Sequence, residues 1–315
     1  VTQHHPAGAQ SMSHLLSQLW LAQASEAGAV GATADSIVSW LLGNGGALFS
    51  LINTVILVLT AIVEQLLNAP APWLFALVVA LLGLWRVSAA FSLLSLLGLN
   101  LVQAMGLWEP MVSSLALVLT ASLLALAIGL PLGVLAARQR SIWQLTRPLL
   151  DLMQTMPAFV YLIPAVMLFS TGAVPSVIAT LIFAMPPVVR LTVLGIRQVP
   201  ADLIEAGRSF GCSEWQLLTK VQLPNALPTL MTGVNQTIML ALSMVVIASM
   251  IGGGGLGDVV LRGIQQLNIG LGFEGGLAVV ILAVILDRLS QSLSTPPSRS
   301  VRDRVRSLAT LWRIR

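Results

Sequence analysis

The residues with the sharpest chemical definition lie between 199 and 224. The run Val199-Pro200-Ala201-Asp202-Leu203-Ile204-Glu205-Ala206-Gly207-Arg208-Ser209-Phe210-Gly211 carries charge and shape but no nucleophile–base pair, so its chemistry is recognition rather than bond making. Pro200 suits a helix start. Asp202 and Glu205 suit the first turn, where the helix dipole favours anions. Leu203, Ala206 and Phe210 fall at i, i+3 and i+7 and form one apolar face. Gly207 and Gly211 leave a small surface that another chain can approach closely, and Gly211 also suits a helix end. Trp215, Leu217, Leu218 and Val221 then lead to Leu223-Pro224. A short helix with an apolar face and small residues is suited to a groove on a partner.

Other candidate chemistry is sparse. A phosphate-binding loop needs Gly-Lys-Ser/Thr, but the only lysine, Lys220, follows Thr219. Gly252, Gly254 and Gly257 satisfy Gly-x-Gly-x-x-Gly, yet they follow an apolar helix rather than a strand, and no βαβ unit is available. They are expected to form a flexible or closely packed turn. The single cysteine, Cys212, excludes an internal disulfide and a cysteine metal cluster. His4, His5 and His14 belong to a polar tail and are read as its solvated side chains rather than as metal ligands.

The elements that hold these residues must live in lipid. Of 315 residues, 56% are apolar and 9% charged, with mean hydropathy +0.90, too few polar groups to cover a soluble surface. Spans are expected at Pro72–Trp85, Ser88–Met105, Pro110–Ala136, Leu149–Ser170, Val174–Ile196, Ala226–Met250 and around Gly275–Leu286, about seven in an all-α membrane protein. In Ala47–Leu67 the polar residues Ser50, Asn53, Thr54, Thr60 and Glu64 recur at about helical spacing. An amphipathic helix in the outer interface is expected there, the alternative being an eighth span whose polar stripe faces the bundle. The expected organisation is a disordered tail at 1–35, an amphipathic region at 36–71, a transmembrane domain at 72–290 and a basic tail at 291–315.

The basic residues orient the spans. With the loops at Arg86, 137–148 and 197–225 inside, every one of the 16 Lys and Arg residues except Arg262 lies on the cytoplasmic side. This puts the C-terminus inside, the N-terminus outside and the 199–224 loop in the cytoplasm, in a cell membrane crossed many times. No cleaved signal peptide is expected. The sequence pI of about 10.5 reflects these membrane-flanking arginines and is not read as a nucleic-acid site.

The loop resembles the EAA loop of ABC-importer permeases, whose pattern is Glu-Ala-Ala, three residues, Gly, nine residues, Ile, one residue, Leu-Pro. Here Glu205-Ala206-Gly207 is followed by three residues, Gly211, nine residues, Val221, Gln222 and Leu223-Pro224. The departures are Gly207 for Ala and Val221 for Ile. Together with 152–164 and 235–257, the segment resembles the permease of the glycine betaine/proline/choline uptake systems over roughly 72–290. The resemblance implies a type I importer fold and a homodimer. It also implies two cytoplasmic ABC ATPase subunits that bind ATP and magnesium, and an extracytoplasmic substrate-binding protein expected as a separate chain. No cofactor is implied for this chain. Asp202, Glu205, Ala206, Gly207, Gly211, Leu223 and Pro224 are the implied ATPase-coupling residues.

Polar and aromatic groups within spans are the candidate pathway lining: Gln154, Thr155, Phe159, Tyr161, Asn235, Gln236, Ser243 and Met244. The alternative for each is interhelical bonding or core filling. Asp151 and Arg190, near span ends, are expected to pair or to snorkel. Pro157, Pro164, Pro186 and Pro187 suit broken helices. A permease for another small polar solute stays open, as does an ion-coupled transporter or channel, although the latter explains neither the loop pattern nor the scarcity of mid-membrane charges.

Overall fold

The computed structural model describes residues 7–294. His4, His5 and the basic tail from 295 lie outside them. The described residues form helices joined by short turns. The first, α1 (Ala7–Asn68), starts well inside the segment expected to lack order. No proline interrupts the chain between Pro6 and Pro70, so nothing in the backbone chemistry imposes a boundary at residue 35. The chain divides between Ile52 and Asn53 into two compact units. In the first, Trp40, Leu48 and Leu51 on α1 are exposed.

The second unit opens with the last turns of α1. Ile56 is buried, and Ser113 Oγ donates to Glu64 Oε1 at 2.7 Å. Val55, Val58, Ile62 and Leu66 form the exposed stripe. Of the polar stripe, Asn53, Thr60 and Glu64 are partly covered, whereas Thr54 is exposed. Val38–Asn68, at 31 residues, is long and apolar enough to cross a membrane.

α2 (Pro72–Arg86) and α3 (Ala89–Ala104) stand where two spans are expected, at 15 and 16 residues. At 1.5 Å per residue each falls short of the roughly 30 Å hydrocarbon core. They form a hairpin. Ser88 caps α3 by accepting from the Phe91 N–H at 3.2 Å, Ser92 Oγ donates to the Ala80 carbonyl at 2.7 Å, and Gly83 lies under the Phe91 ring.

α4 (Trp108–Arg138) ends at Gln139. The span expected at Leu149–Ser170 is divided: α5 (Arg140–Thr155) meets α6 (Ala158–Phe169) at 102°. Pro157 lacks an amide hydrogen and forces Met156 into extended backbone, which ends α5 there. α7 (Ala173–Arg197) keeps Pro186 and Pro187 inside one helix. After α8 (Ala201–Ser209) and the single turn α9 (Glu214–Gln216), a π-helical segment Leu217–Gln222 feeds α10 (Leu223–Ser243). α11 (Val245–Ser249), α12 (Gly255–Gln265) and α13 (Ile269–Ser294) complete the described chain. By length and composition five helices can cross, or six with the bent α5–α6 pair counted as one.

The core is α4, α7 and α10. A Cβ on Gly129 or Gly133 of α4 would lie 2.5 Å from Val188 or 2.6 Å from Thr192 of α7, and one on Gly233 of α10 would lie 3.2 Å from the Val188 backbone. Lipid supplies no hydrophobic drive between helices, so close backbone approach at small residues is what holds them together.

The four-glycine run 252–255 is closely packed. Gly172 N–H donates to the Ile251 carbonyl at 2.8 Å, and Leu256 N–H donates to Ser114 Oγ at 2.8 Å. This joins the starts of α4, α7 and α12 at one end of the bundle.

Candidate functional site

The loop between α7 and α10 is built from three anchors. Leu218 is buried with Ile196, Ala226 and Leu230, which fixes the π-helical segment on the ends of α7 and α10. Glu214 lies 3.3 Å from Arg208 and 3.8 Å from Arg138, linking the loop to α4. Arg197, three residues before Pro200, donates to the carbonyls of Ala136 at 2.9 Å and Ala137 at 3.3 Å, and its guanidinium stacks over Trp143. α8 is therefore tied to the same end of α4 and α7, and a displacement of one must be felt by the others.

The helix starts at Pro200 and ends in a Schellman motif. Cys212 N–H donates to the Gly207 carbonyl and Gly211 N–H to the Arg208 carbonyl, with Gly211 at φ +77°. Gly211 serves helix termination, and nothing lies within 4 Å of where its Cβ would be. Gly207 does not face outward as expected. It is buried, and its Cβ would meet Leu217 Cδ1 at 2.8 Å. The close approach it permits is internal, between α8 and the π-helical segment.

The outward face of α8 carries Asp202, Leu203, Glu205, Ala206 and Phe210, all exposed. Phe210 is 87% exposed and Trp215, just beyond, 67%. Large exposed rings beside two carboxylates that have no ion-pair partner among the described residues make a compact apolar and acidic surface that wants cover. Leu223 and Pro224 open α10. Glu214, Arg138 and Arg197 were not anticipated as supports of this loop, because pairing across separate helices leaves no spacing signal in the sequence.

The residues expected along a pathway divide into two groups. Tyr161 and Met244 are buried in one cluster with Leu162 and Ala179, so they fill core rather than line a surface. Tyr161 Oη donates to the Met153 carbonyl, which ties α6 back to α5 across the bend. Gln154, Thr155, Phe159, Gln236 and Ser243 are exposed, and Asn235 is half-buried and accepts from Ser290 Oγ. Ser243 Oγ donates to the Met239 carbonyl at 2.9 Å. Arg190 pairs with Asp151 at 2.6 Å and also donates to Gln154 Oε1. Among the described residues no group of three His, Cys, Asp or Glu side chains is placed to hold a metal ion.

Comparison with known proteins places this geometry. Residues 129–295 match the family described as binding-protein-dependent transport system inner membrane component. The glycine betaine/proline betaine transport system permease protein ProW of Escherichia coli (strain K12) is 56% identical over 237 residues, 75% of this chain. The chain spans 66% of that relative's length. The glycine betaine transport system permease protein OpuAB of Bacillus subtilis (strain 168) is 46% identical over 260 residues, covering 82% of this chain and 92% of that protein. Among solved structures, a chain of the MetNI methionine ABC transporter in an inward-facing conformation aligns with a TM-score of 0.54 and 21% identity, covering 59% of this chain and 94% of that one. That likeness establishes the fold.

Proposed function

Because the chain belongs to the family of binding-protein-dependent transport system inner membrane components, we propose that it is the permease subunit of an ATP-driven importer for a quaternary ammonium solute: glycine betaine, choline, carnitine or proline. The observation that carries the coupling reading is the exposed face of α8, held by Arg197, Arg138 and Glu214 to the ends of α4 and α7. The names of the relatives support the substrate class.

In this reading a second copy of the chain completes the pathway. Two cytoplasmic ABC ATPase subunits, which bind ATP and magnesium, take α8 into a groove, and an extracytoplasmic binding protein delivers the solute. Closure of the ATPase pair moves α8. The Arg197 and Glu214 ties carry that motion into α7 and α4, and the outer mouth opens while the inner side closes. Gln154, Thr155, Phe159, Asn235, Gln236 and Ser243 are the residues of this chain proposed to meet the pathway. The closely packed turn at Gly252–Gly255 lies at the opposite end of α4 and α7 from α8, where the binding protein would dock.

The distribution of basic residues supports a cytoplasmic α8. In that orientation the α2–α3 hairpin, which returns the chain to the side it left, would place residue 71 outside. The amphipathic segment 47–67 is proposed to lie in the outer interface, with the N-terminus outside. Labelling of single cysteines at positions 33 and 209, in a Cys212→Ser background, by a membrane-impermeant thiol reagent in intact cells tests this. Label at 33 and none at 209 is expected, and label at 209 would refute the orientation.

The functional test is uptake of radiolabelled glycine betaine in cells carrying this chain, its ATPase and its receptor, with choline, carnitine and proline as competitors. Uptake that depends on the ATPase is expected. Uptake that persists without it would sink the importer reading.

A further inference from the structure

Between α5 and the last two turns of α7 lies a cavity of about 420 Å³. Trp143, Arg147 and Asp151 line it from α5, and Arg190, Leu194 and Arg197 from α7. Three guanidinium groups thus face one carboxylate. Asp151 accounts for Arg190, at 2.6 Å. Arg197 is held by two carbonyl oxygens and a tryptophan face, partners that orient it without cancelling its charge. Among the described residues Arg147 has no ion-pair or hydrogen-bond partner. Two positive charges are therefore left around one cavity.

The remaining wall is apolar, formed by Leu191, Val193 and Leu194. Leu194 of α7 is itself exposed, so this wall is open at its edge. A free anion in water has no use for such a wall, whereas a phosphate esterified to a hydrocarbon chain needs both parts. The position fits as well. The cavity flanks the terminal turns of a helix long enough to cross the bilayer, which is the depth of the headgroups. Arginine matches phosphate through two parallel N–H donors and resists deprotonation, and basic pockets between helices on this side of a membrane suit anionic headgroups.

We propose that this cavity binds the phosphate headgroup of an anionic membrane lipid, with Arg147 and Arg197 meeting the phosphate and Trp143 and Leu194 meeting the glycerol and the first acyl carbons. Assignment to the inner leaflet rests on the orientation proposed above; the binding itself does not. A lipid held there bridges α5 and α7 at the point where Arg197 ties α7 to α4, next to the start of α8.

The test uses the full chain purified with its partner subunits and exchanged into detergent micelles doped with phosphatidylglycerol or phosphatidylcholine. Native mass spectrometry counts lipid retained per complex. Phosphatidylglycerol should be retained at least about fivefold over phosphatidylcholine, and Arg147→Gln should lower that retention about fivefold, the weight of one arginine near a charged headgroup. Arg140→Gln, an exposed arginine on the same helix outside the cavity, should leave it unchanged, and both variants should melt with the wild type. Equal retention of the two lipids, or retention indifferent to Arg147→Gln, would overturn the proposal. Displacement of phosphatidylglycerol by millimolar inorganic phosphate would also overturn it, assigning the cavity to a free anion.

Discussion

Gly207 of α8 and Leu217 of the π-helical segment are in direct contact, so that a Cβ on Gly207 would stand 2.8 Å from Leu217 Cδ1. The atom in the way is the end of a flexible side chain, so alanine requires only a small adjustment of Leu217. Alanine also gains roughly 1 kcal/mol of helix propensity over glycine. Gly207→Ala is therefore expected to change stability by less than about 1 kcal/mol and to keep uptake, whereas Gly207→Leu should lift α8 from its seat and abolish uptake. Thermal melting of the purified complex and solute uptake measure the two effects. Full uptake by the leucine variant would show that the α8–Leu217 contact does not set the position of the helix.

Gly211 poses a different problem. Its φ of +77° disfavours any side chain, at a cost of about 1–2 kcal/mol, but there is no clash to relieve. Gly211→Leu should insert in the membrane at normal levels, loosen the Schellman end of α8 and uncouple ATP hydrolysis from uptake. Normal uptake by this variant refutes the assignment of the loop as the coupling element.

Phe210 and Trp215 touch little within the chain, so truncating them leaves stability within about 0.5 kcal/mol. If an ATPase covers them, each behaves as an interface anchor worth upwards of 1 kcal/mol. Phe210→Ala with Trp215→Ala is expected to lower ATPase co-purification at least about tenfold. Unchanged recovery of the ATPase with the double variant would move the docking surface elsewhere.

The glycines at 254 and 255 share a positive φ yet should respond differently. A Cβ at Gly254 meets nothing within 4 Å, whereas one at Gly255 would lie 2.3 Å from Ser114 Oγ and 3.1 Å from the Pro110 carbonyl. Gly254→Ala should cost about 1 kcal/mol. Gly255→Ala carries that cost, the clash and the loss of the Leu256 N–H···Ser114 bond, together about 3 kcal/mol or more. Comparable melting temperatures for the two variants would show that the packed turn tolerates displacement.

Several features were legible in the sequence because they depend on local spacing. The apolar runs at 110–136 and 174–196 became α4 and α7 within a few residues. The Pro200 start, the Gly211 stop and the outward Leu203, Ala206, Phe210 face follow from one helical period and one glycine. The opposed charges of Asp151 and Arg190 near span ends anticipated their pairing.

What remained was decided by tertiary structure. Gly207 reads like a surface for a partner until the π-helical turn at 217–222 brings Leu217 beneath it. Tyr161 and Met244 read like pathway residues, but the 102° bend at Met156–Pro157 carries Tyr161 into the cluster that holds Met244. Proline announces a break without setting its angle, and an amphipathic pattern announces two faces without saying which of them meets lipid. By itself the sequence determined a helical, lipid-embedded chain and the helix start and stop of its 199–224 loop, because hydropathy and spacing are properties of the chain alone. Which side chains of that loop face outward, and which polar groups are left free to meet a solute, depended on how α4, α7 and α10 close on one another, and no local spacing encodes that.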